Sequence, residues 1–364
     1  MRIMVKKIKL FDPVVDALEK KAVLRVLNSG FWASGSGSST VLKFENKFKK
    51  YLKADECIAV NSGTSALNLA LSLFDIKDRE VILPSLSFVS TAHCILENKG
   101  IPVFVDVEPE SLCIDPKKII SAITKKTKMI LPVHFGGMPC NLNEIQKISK
   151  KYKLDIVEDA AHSAGSVYKN KKIGTHGKAV CFSFHPVKNL AMPTGGLISI
   201  NDPRYKKFKK SLMERRWCGI TNRKGTDYDV KEIGGNYYMN EFSAAIGIEQ
   251  LKKLDKLNLI RKKIGKKFNE QINIKFKMPY DKDCSYHLYW ILVKDRDRFR
   301  EKLSKNGIET GTHYKPIHLM SMYKQNQKLS ISEKVGKQIV TLPIHPNLNN
   351  RDVDKIIRLV NRFL

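Results

Sequence analysis

The sequence is poor in acidic residues and contains no long apolar run. Its 36 Asp and Glu residues stand against 65 Lys and Arg residues, which gives a formal net charge of +29. A membrane-spanning helix needs about 20 consecutive apolar residues, and no stretch of this sequence provides them. The start, MRIMVKKIKLFDP, also lacks the apolar region of a signal peptide. We therefore expect a cytoplasmic protein with no membrane partner.

Cysteine is scarce and scattered. The seven cysteines are odd in number, and no two of them form a CxxC pair. This usage is typical of free thiols in a reducing compartment, and it contains no zinc-binding pattern. We therefore predict no metal site.

The positive charge is spread along the chain. Basic residues recur at 5–9, 47–53, 117–128, 147–153, 206–210 and 252–266, without a long tract interleaved with aromatic residues. Nucleic-acid-binding proteins concentrate such residues on one surface, so we expect no nucleic-acid partner. Solvated helix faces in a lysine-rich chain explain the charge best. Attraction of an anionic substrate, such as a nucleotide-sugar, is the alternative explanation.

The chain changes its pattern near residue 249. Before that point, short apolar runs alternate with amphipathic segments, which predicts an α/β domain with a mainly parallel sheet. After it, a lysine-rich helix over 250–269 leads into a strand at 286–293 and helices at 299–306 and 352–363. We therefore predict a large domain at 1–248 and a smaller α+β domain at 249–364. Residues 220–240 are predicted to be a loop.

Three stretches together predict a cofactor site. The segment CFSFHPVKNLAMPTGG at 181–196 places Lys188 in a loop between two strands, where partial desolvation makes an amine nucleophilic. Asp159 ends the strand in LDIVEDAAHSAGS, and NSGTS at 61–65 opens a helix whose free N–H groups would bind phosphate. A loop lysine, a carboxylate and a phosphate cradle together suit pyridoxal 5′-phosphate (PLP). Taken alone, in a chain this rich in lysine, the segment would instead be read as an ordinary surface loop.

The chain resembles the PLP-dependent sugar aminotransferases of the DegT/StrS family, from about Phe11 to the C-terminus. The resemblance rests on five motifs in the family's order and spacing: NSGTSAL at 61–67, EDAAHS at 158–163, SFHPVKN at 183–189, GGNYYMNEFSAAIG at 234–247 and GTHYKPIH at 311–318. It implies the type I fold of PLP-dependent transferases. That fold has a large domain with a mainly parallel mixed sheet and a smaller C-terminal α+β domain.

The resemblance also implies roles for individual residues. Lys188 would form the Schiff base with PLP, and Asp159 would keep the pyridine nitrogen protonated. The other expected cofactor contacts are Ser62, Gly63, Thr64, Phe88, His162, Ser183 and, from a neighbouring subunit, Asn236. The candidates on the substrate side are Trp32, His185, His313 and Tyr314.

Four of these residues have a structural alternative. Phe88 could be an ordinary core residue rather than a ring that stacks on PLP. His162 could be a structural histidine, and the loop at 31–40 that holds Trp32 could be a plain linker. Asn236 could cap the helix that follows it, a role that asparagine often takes.

The resemblance implies a reaction as well. A homodimer with shared active sites would transfer an amino group from a donor, expected to be L-glutamate, to a keto-sugar that is linked to a nucleotide. One alternative is a sugar dehydratase of the same fold that uses PLP or pyridoxamine phosphate (PMP). Lys188 argues against it, because such relatives replace that lysine, typically with histidine. The other alternative is a regulatory protein that binds PLP without turnover. The chain departs from the family at Pro193-Thr194, Cys218 and Tyr238, which leaves the sugar open.

Overall fold

The computed structural model describes residues 7–324 and 326–364, so residues 1–6 of the predicted large domain lie outside the described residues. The strands are β1 (Glu56–Val60), β2 (Glu80–Pro84), β3 (Ile101–Val105), β4 (Thr127–Ile130), β5 (Asp155–Asp159), β6 (Val167–Tyr168), β7 (Lys171–Lys172), β8 (Ala179–Ser183), β9 (Gly196–Ile200), β10 (Ile220–Lys224), β11 (Asp227–Val230), β12 (Tyr289–Leu292) and β13 (Ile339–Leu342). The α-helices are α1 (Ala17–Ser29), α2 (Thr40–Leu52), α3 (Gly63–Leu71), α4 (Ser90–Glu97), α5 (Pro116–Ala122), α6 (Leu142–Tyr152), α7 (Tyr205–Arg215), α8 (Glu241–Gln271), α9 (Arg296–Lys305), α10 (Ser330–Gln338) and α11 (Asn350–Phe363).

Seven strands form one mixed sheet in the order β1-β9-β8-β5-β4-β2-β3. The pairs from β8 to β3 are all parallel, whereas β9 is antiparallel to both of its neighbours, β1 and β8. The predicted mainly parallel mixed sheet is therefore confirmed. In such a sheet, ligands bind beyond the carboxyl ends of the strands. The loops after β1, β5 and β8 meet at that edge.

The strands that support this edge are buried on both faces. On one face, Phe182 of β8 packs against Phe48 of α2 with ring centroids 5.3 Å apart, and Phe44 packs against Phe184 at 5.6 Å. On the other face, Ile58 and Ile198 pack with the apolar side of α3. Burying each such side chain contributes about 1.5–3 kcal/mol. The loops at the sheet edge therefore project from a rigid base.

Helix α8 is longer than the sequence pattern predicts. It begins at Glu241, after the N-cap Asn240, and continues without a break to Gln271. The separate helix predicted at 250–269 is therefore part of one helix that crosses residue 249. Beyond it, β12 and β13 form an antiparallel pair beside α9 and α10. We keep the division into two domains as a proposal, with α8 as the element that joins them.

The loop predicted at 220–240 contains a β-hairpin. Strands β10 and β11 pair antiparallel across Gly225, whose φ of +61° suits a tight turn between them. Both strands are mostly exposed, so their side chains do not alternate between apolar and polar. That alternation is the usual sequence signal for a strand, and its absence explains the wrong prediction.

Candidate active site

A pocket of about 340 Å³ lies at the carboxyl edge of the large sheet. It brings together all but two of the residues predicted for the site. Those that line it are Ser62, Gly63, Thr64, Phe88, Asp159, His162, Ser183, His185, Lys188, His313 and Tyr314. These residues come from the carboxyl ends of four strands of the sheet, β1, β2, β5 and β8, and from the segment that follows α9, so the fold assembles the pocket from distant parts of the chain.

The start of α3 forms one wall of this pocket. The Oγ of Ser62 accepts a hydrogen bond from the N–H of Ser65 at 3.1 Å and so fixes the first turn of the helix. Gly63 follows, where an added Cβ would lie 2.7 Å from the Cβ of Ser183. A glycine is therefore required for this close approach, which places the hydroxyl-bearing Ser183 beside the helix start. The first N–H groups of a helix have no intrahelical acceptors and attract anions.

Lys188 lies in the loop between β8 and β9, with its side chain partly buried in the pocket wall. No described residue lies within hydrogen-bonding or ion-pairing distance of its amine. Burial lowers the pKa of this amine to about 8, and the nearby Asp159 carboxylate opposes the shift only in part. The neutral, nucleophilic form of Lys188 is therefore far more accessible than that of an exposed lysine.

Asp159 ends β5 and is 4% exposed. Its carboxylate accepts one hydrogen bond from the Thr91 hydroxyl at 2.9 Å and another from the Ala161 N–H at 3.1 Å. Burial raises the pKa of this carboxyl, while those hydrogen bonds and the Lys188 charge favour the ionised form. A cationic ring nitrogen beside it would stabilise the ionised form further.

Three histidines beside Lys188 have depressed pKa values. Burial, with the Lys188 charge as a second cause, holds the pKa of His162 and His287 well below the usual range and lowers that of His313 to about 4. The Nδ1 of His162 accepts a hydrogen bond from the Gly136 N–H at 3.2 Å, so its proton is on Nε2. These rings are therefore neutral at pH 7 and contribute hydrogen bonds without charge.

Two aromatic side chains complete the pocket. Phe88 is 55% exposed, so the alternative that it is an ordinary core residue is wrong. Its ring lies 6.1 Å from that of Tyr314, whose hydroxyl accepts a hydrogen bond from the Nε2 of His162 at 3.2 Å. A flat ligand between these rings and the sheet edge would contact them by stacking.

Two predicted residues, Trp32 and Asn236, lie outside the pocket of this chain. The Trp32 indole is 51% exposed and donates to the Leu27 carbonyl at 3.3 Å. The Asn236 side chain is exposed, and its backbone carbonyl accepts from the Asn61 amide at 3.0 Å. Asn240, rather than Asn236, caps α8 by accepting from the Ser243 N–H. The alternative that Asn236 is the helix cap is therefore wrong.

Known proteins resemble this chain along nearly its whole length. The model of the DegT/DnrJ/EryC1/StrS aminotransferase family matches residues 13–361. A GDP-perosamine synthase from Escherichia coli O157:H7 is 32% identical, over 98% of this chain and 99% of its own length. The chain belongs to the DegT/DnrJ/EryC1/StrS aminotransferase family. The resemblance read from the five motifs and the predicted enzyme class, an aminotransferase, are thereby confirmed.

Solved structures of this aminotransferase family share the fold. PseC from Helicobacter pylori, an aminotransferase involved in the biosynthesis of pseudoaminic acid, superposes with a TM-score of 0.92 at 31% identity, covering 98% of this chain and 99% of that one. Spr1654 from Streptococcus pneumoniae, a putative sugar aminotransferase, superposes with a TM-score of 0.92 at 25% identity in its PMP form, covering 98% and 97%. The predicted type I fold is confirmed.

The residues present in this aminotransferase fit PLP. Gly63 allows Ser183 to lie beside the free N–H groups at the start of α3, where a phosphate could bind, because an added Cβ would lie 2.7 Å from the Cβ of Ser183. Lys188 offers an unpaired amine, and Asp159 offers a buried carboxylate that two donors already orient. All three face one cavity. Within the described ranges, no group of three or more His, Cys, Asp or Glu residues is arranged to hold a metal ion.

Sequence reasoning missed three residues of this site. Thr91 orients Asp159, and Thr194 lines the pocket while its hydroxyl donates to the Asn61 carbonyl. His287 packs against His162 with ring centroids 4.4 Å apart and ring planes tilted by 38°. Thr91 lies three positions after Phe88, at the start of the same helical segment, so helical spacing could have placed it on the same side. No local signal in the sequence indicates the other two.

Two general properties of the chain bear on where it works. All seven cysteines are free thiols, and Cys218 is the exposed one. Among the described residues, no helix combines the length and the apolar character that crossing a membrane requires.

Proposed function

We propose that this aminotransferase uses PLP to transfer an amino group from L-glutamate to a nucleotide-linked keto-sugar. The observation that carries the proposal is Lys188, whose partly desolvated amine shares one pocket with Asp159 and the start of α3. The relatives support the sugar, since they include a GDP-perosamine synthase and PseC. The product would be an amino sugar for a surface glycan or a secondary metabolite.

Each pocket residue then has a defined task. PLP, when bound, supplies a ring that accepts electrons from the carbon that loses its proton. Lys188 would hold the cofactor covalently through its amine, and the amine, once released, would act as the base that takes the proton from the donor's α-carbon. Asp159 would hold the ring nitrogen protonated. The start of α3, with Ser62, Thr64 and Ser183, would bind the phosphate, and Phe88 and His162 would hold the ring in place.

A screen of nucleotide-linked keto-sugars tests this proposal. PLP-loaded protein, glutamate and each sugar would be incubated together, and the products would be analysed by mass spectrometry. We expect one sugar to gain an amine while glutamate becomes 2-oxoglutarate, and Lys188→Ala to abolish both changes. Loss of water from the sugar without gain of an amine would support the dehydratase instead. If glutamate leaves the visible absorbance of bound PLP unchanged, the regulatory alternative is correct.

We also propose that the working unit is a homodimer whose partner completes each site. Asn236 is a predicted phosphate ligand, yet its side chain faces solvent in this chain. Apolar residues beside it are also exposed: Ile233 at 95%, Tyr228 at 55% and Val230 at 50%. Such a cluster is typical of a surface that another protein covers. A second copy that covers it would bring Asn236 towards the neighbouring pocket.

Mixing two inactive variants tests the shared site. Lys188→Ala chains and Asn236→Ala chains would be combined under conditions that exchange subunits. If sites are shared, one site of a mixed dimer carries both lesions and the other carries neither, so activity should reappear. Native mass spectrometry would verify the exchange. Verified exchange without any recovery, with Asn236→Ala inactive by itself, would refute the shared site.

The proposed compartment is the cytoplasm. Seven free thiols suit a reducing environment, and nucleotide-sugars would be the anionic substrates that a chain with a net charge of +29 attracts.

A further inference from the structure

A second, much smaller pocket lies on the other side of Lys188. Its volume is about 10 Å³, and Val187 and Lys188 line both pockets. The other walls are the N-terminal segment 10–13, Pro186, Arg261 of α8, His287, and residues 344–345. About one water-sized group fits into such a space. A phosphate or a nucleotide is therefore too large for it, whereas a single carboxylate oxygen is not.

Arg261 brings an unpaired charge into this small pocket. The side chain is 7% exposed, and no described residue forms a hydrogen bond, an ion pair or a ring contact with it. Its Nη1 is fully buried without an acceptor. Burial lowers the pKa of its guanidinium to about 9, so the group is still charged at pH 7. Residues 1–6, MRIMVK, include no acidic side chain that could pair with it.

The charged and titratable neighbours of this pocket do not neutralise Arg261. Asp12 is the one carboxylate among the lining residues, and it is already bound by Asn347 at 2.8 Å and Lys9 at 3.0 Å. His345 uses Nε2 to donate to the Lys9 carbonyl and is left with a buried Nδ1 that has no partner. Burial depresses the pKa of both His287 and His345, so neither ring supplies charge.

A buried, unpaired guanidinium destabilises the fold unless an anion accompanies it. The neighbouring large pocket offers no second cation that could bind a carboxylate. Lys188 is the only lysine or arginine among its lining residues. An amino donor must bring its amine to the position of the Lys188 amine in order to replace it. Its carboxylates then extend from that point into the surroundings of Lys188, where Arg261 is, apart from Lys188 itself, the unpaired cation among the described residues that line the two pockets.

We propose that Arg261 binds a carboxylate of the amino donor. The inference rests on the proposed function and identifies the chemistry by which the donor is recognised: one carboxylate oxygen enters the small pocket and accepts hydrogen bonds from the guanidinium. Arg261 is thus a specificity-determining residue for a carboxylate-bearing donor.

The test compares Arg261→Gln, Arg261→Lys and the control Lys263→Gln, which removes the same charge from an exposed position on α8. Two quantities are measured on PLP-loaded protein. The first is the concentration of glutamate that half-saturates the loss of PLP absorbance, and the second is the affinity for glutarate, a dicarboxylate without an amine, by calorimetry. A hydrogen-bonded charge pair corresponds to about tenfold to 100-fold in affinity.

We expect Arg261→Gln to weaken both glutamate and glutarate by that factor, Arg261→Lys to weaken them less, and Lys263→Gln to leave them unchanged. The melting temperature of the ligand-free Arg261→Gln protein should not fall, because the variant removes an uncompensated charge. A variant that binds glutarate like the wild type would overturn the proposal. Failure of the proposed function looks different, since even the wild type would then not react with glutamate.

Acetate and chloride distinguish a donor carboxylate from a free anion. If either of them stabilises the wild type through Arg261 while the half-saturating glutamate concentration is the same in Arg261→Gln, a solution anion occupies the pocket and the donor assignment is wrong. If acetate instead competes with glutamate, and Arg261→Gln abolishes that competition, the donor assignment is supported.

Discussion

Glu158 and Asp159 are neighbours on β5, and they differ in what their carboxylates face. Glu158 is fully buried and accepts a hydrogen bond from the Nε2 of His134 at 2.8 Å. His134 in turn accepts from the Cys140 N–H through Nδ1, which fixes its proton on Nε2. Asp159 points to the other face of the strand, towards an open pocket and the unpaired amine of Lys188. The alternation of side chains along a strand separates the two carboxylates.

The difference shows that burial alone does not make a carboxylate functional. One oxygen of Glu158 is held by His134 in closed protein, the other is buried without a partner, and neither faces the pocket, so the role of Glu158 is structural. Asp159 and Lys188 are each held in a setting that disfavours their charged forms. The polar pair on the pocket side therefore costs folding free energy until a ligand arrives, as is common at active sites.

Replacing Asp159 with asparagine gives the largest expected effect. Asp159→Asn keeps the shape and can still accept the Thr91 hydrogen bond, but it cannot hold a ring nitrogen protonated. We expect turnover to fall by orders of magnitude while the melting temperature changes little. The measurement is the rate of the half-reaction with glutamate at saturating PLP. Near-normal turnover would show that Asp159 is not needed to hold the ring nitrogen protonated. The functional difference between Asp159 and Glu158 would then be refuted.

Replacing Lys188 with methionine should stabilise the protein before PLP is added. The unfolded lysine keeps its proton up to a pKa of 10.5, whereas the folded amine loses it above about 8. The protonated amine therefore costs the fold up to about 3 kcal/mol below pH 8 and nothing above pH 10.5. Denaturant unfolding should show Lys188→Met to be more stable at pH 7, with the gap closing between pH 8 and 10.5. The exposed Lys20→Met variant is the control, and an equal gap at all pH values would contradict this explanation.

Replacing Glu158 with glutamine should lower the free energy of unfolding, and by less than Lys188→Met raises it. Glu158→Gln weakens a charge-assisted hydrogen bond and introduces a buried NH₂ group, at a cost of about 1–3 kcal/mol. The matched control is Glu144→Gln, which removes an exposed ion pair with Lys147 at a cost of at most about 1 kcal/mol. The folded fraction of Glu158→Gln should keep normal turnover. If Glu158→Gln instead lost turnover without losing stability, Glu158 would have a functional role, and the proposed difference from Asp159 would be wrong.

The sequence predicts the side of the site that lies on the sheet edge. Lys188, Asp159 and the start of α3 each follow a short apolar run, and the carboxyl ends of such strands must meet at one edge. Local pattern decides these positions, so the prediction needs no knowledge of distant contacts. For a similar reason, the apolar stripe of Val41, Phe44, Phe48 and Leu52 predicts a helix over 40–52, and α2 has these bounds.

Other parts of the site depend on contacts between distant segments. Arg261 lies in the run IRKKIGKK, which reads as a solvated basic helix face. It is buried because the N-terminal segment 10–13 and residues 344–345 pack over this part of α8. No periodic pattern in the sequence predicts that packing. Thr194 and His287 also acquire their neighbours only through tertiary packing. The sequence pattern also does not identify the cap of α8, because the cap considered from sequence is Asn236 whereas the observed cap is Asn240.

The place of β9 in the sheet has a consequence for how the protein is made. β1 lies at one edge and pairs with β9, which is the last of the seven strands to leave the ribosome. Until then, the segment that carries Ser62 and Gly63 lacks its neighbour in the sheet, and Gly195 cannot form its bridge with Ser62. The two loops that would hold PLP thus come together in a single late step of synthesis. A nascent chain that ends before β9 therefore lacks a complete PLP site.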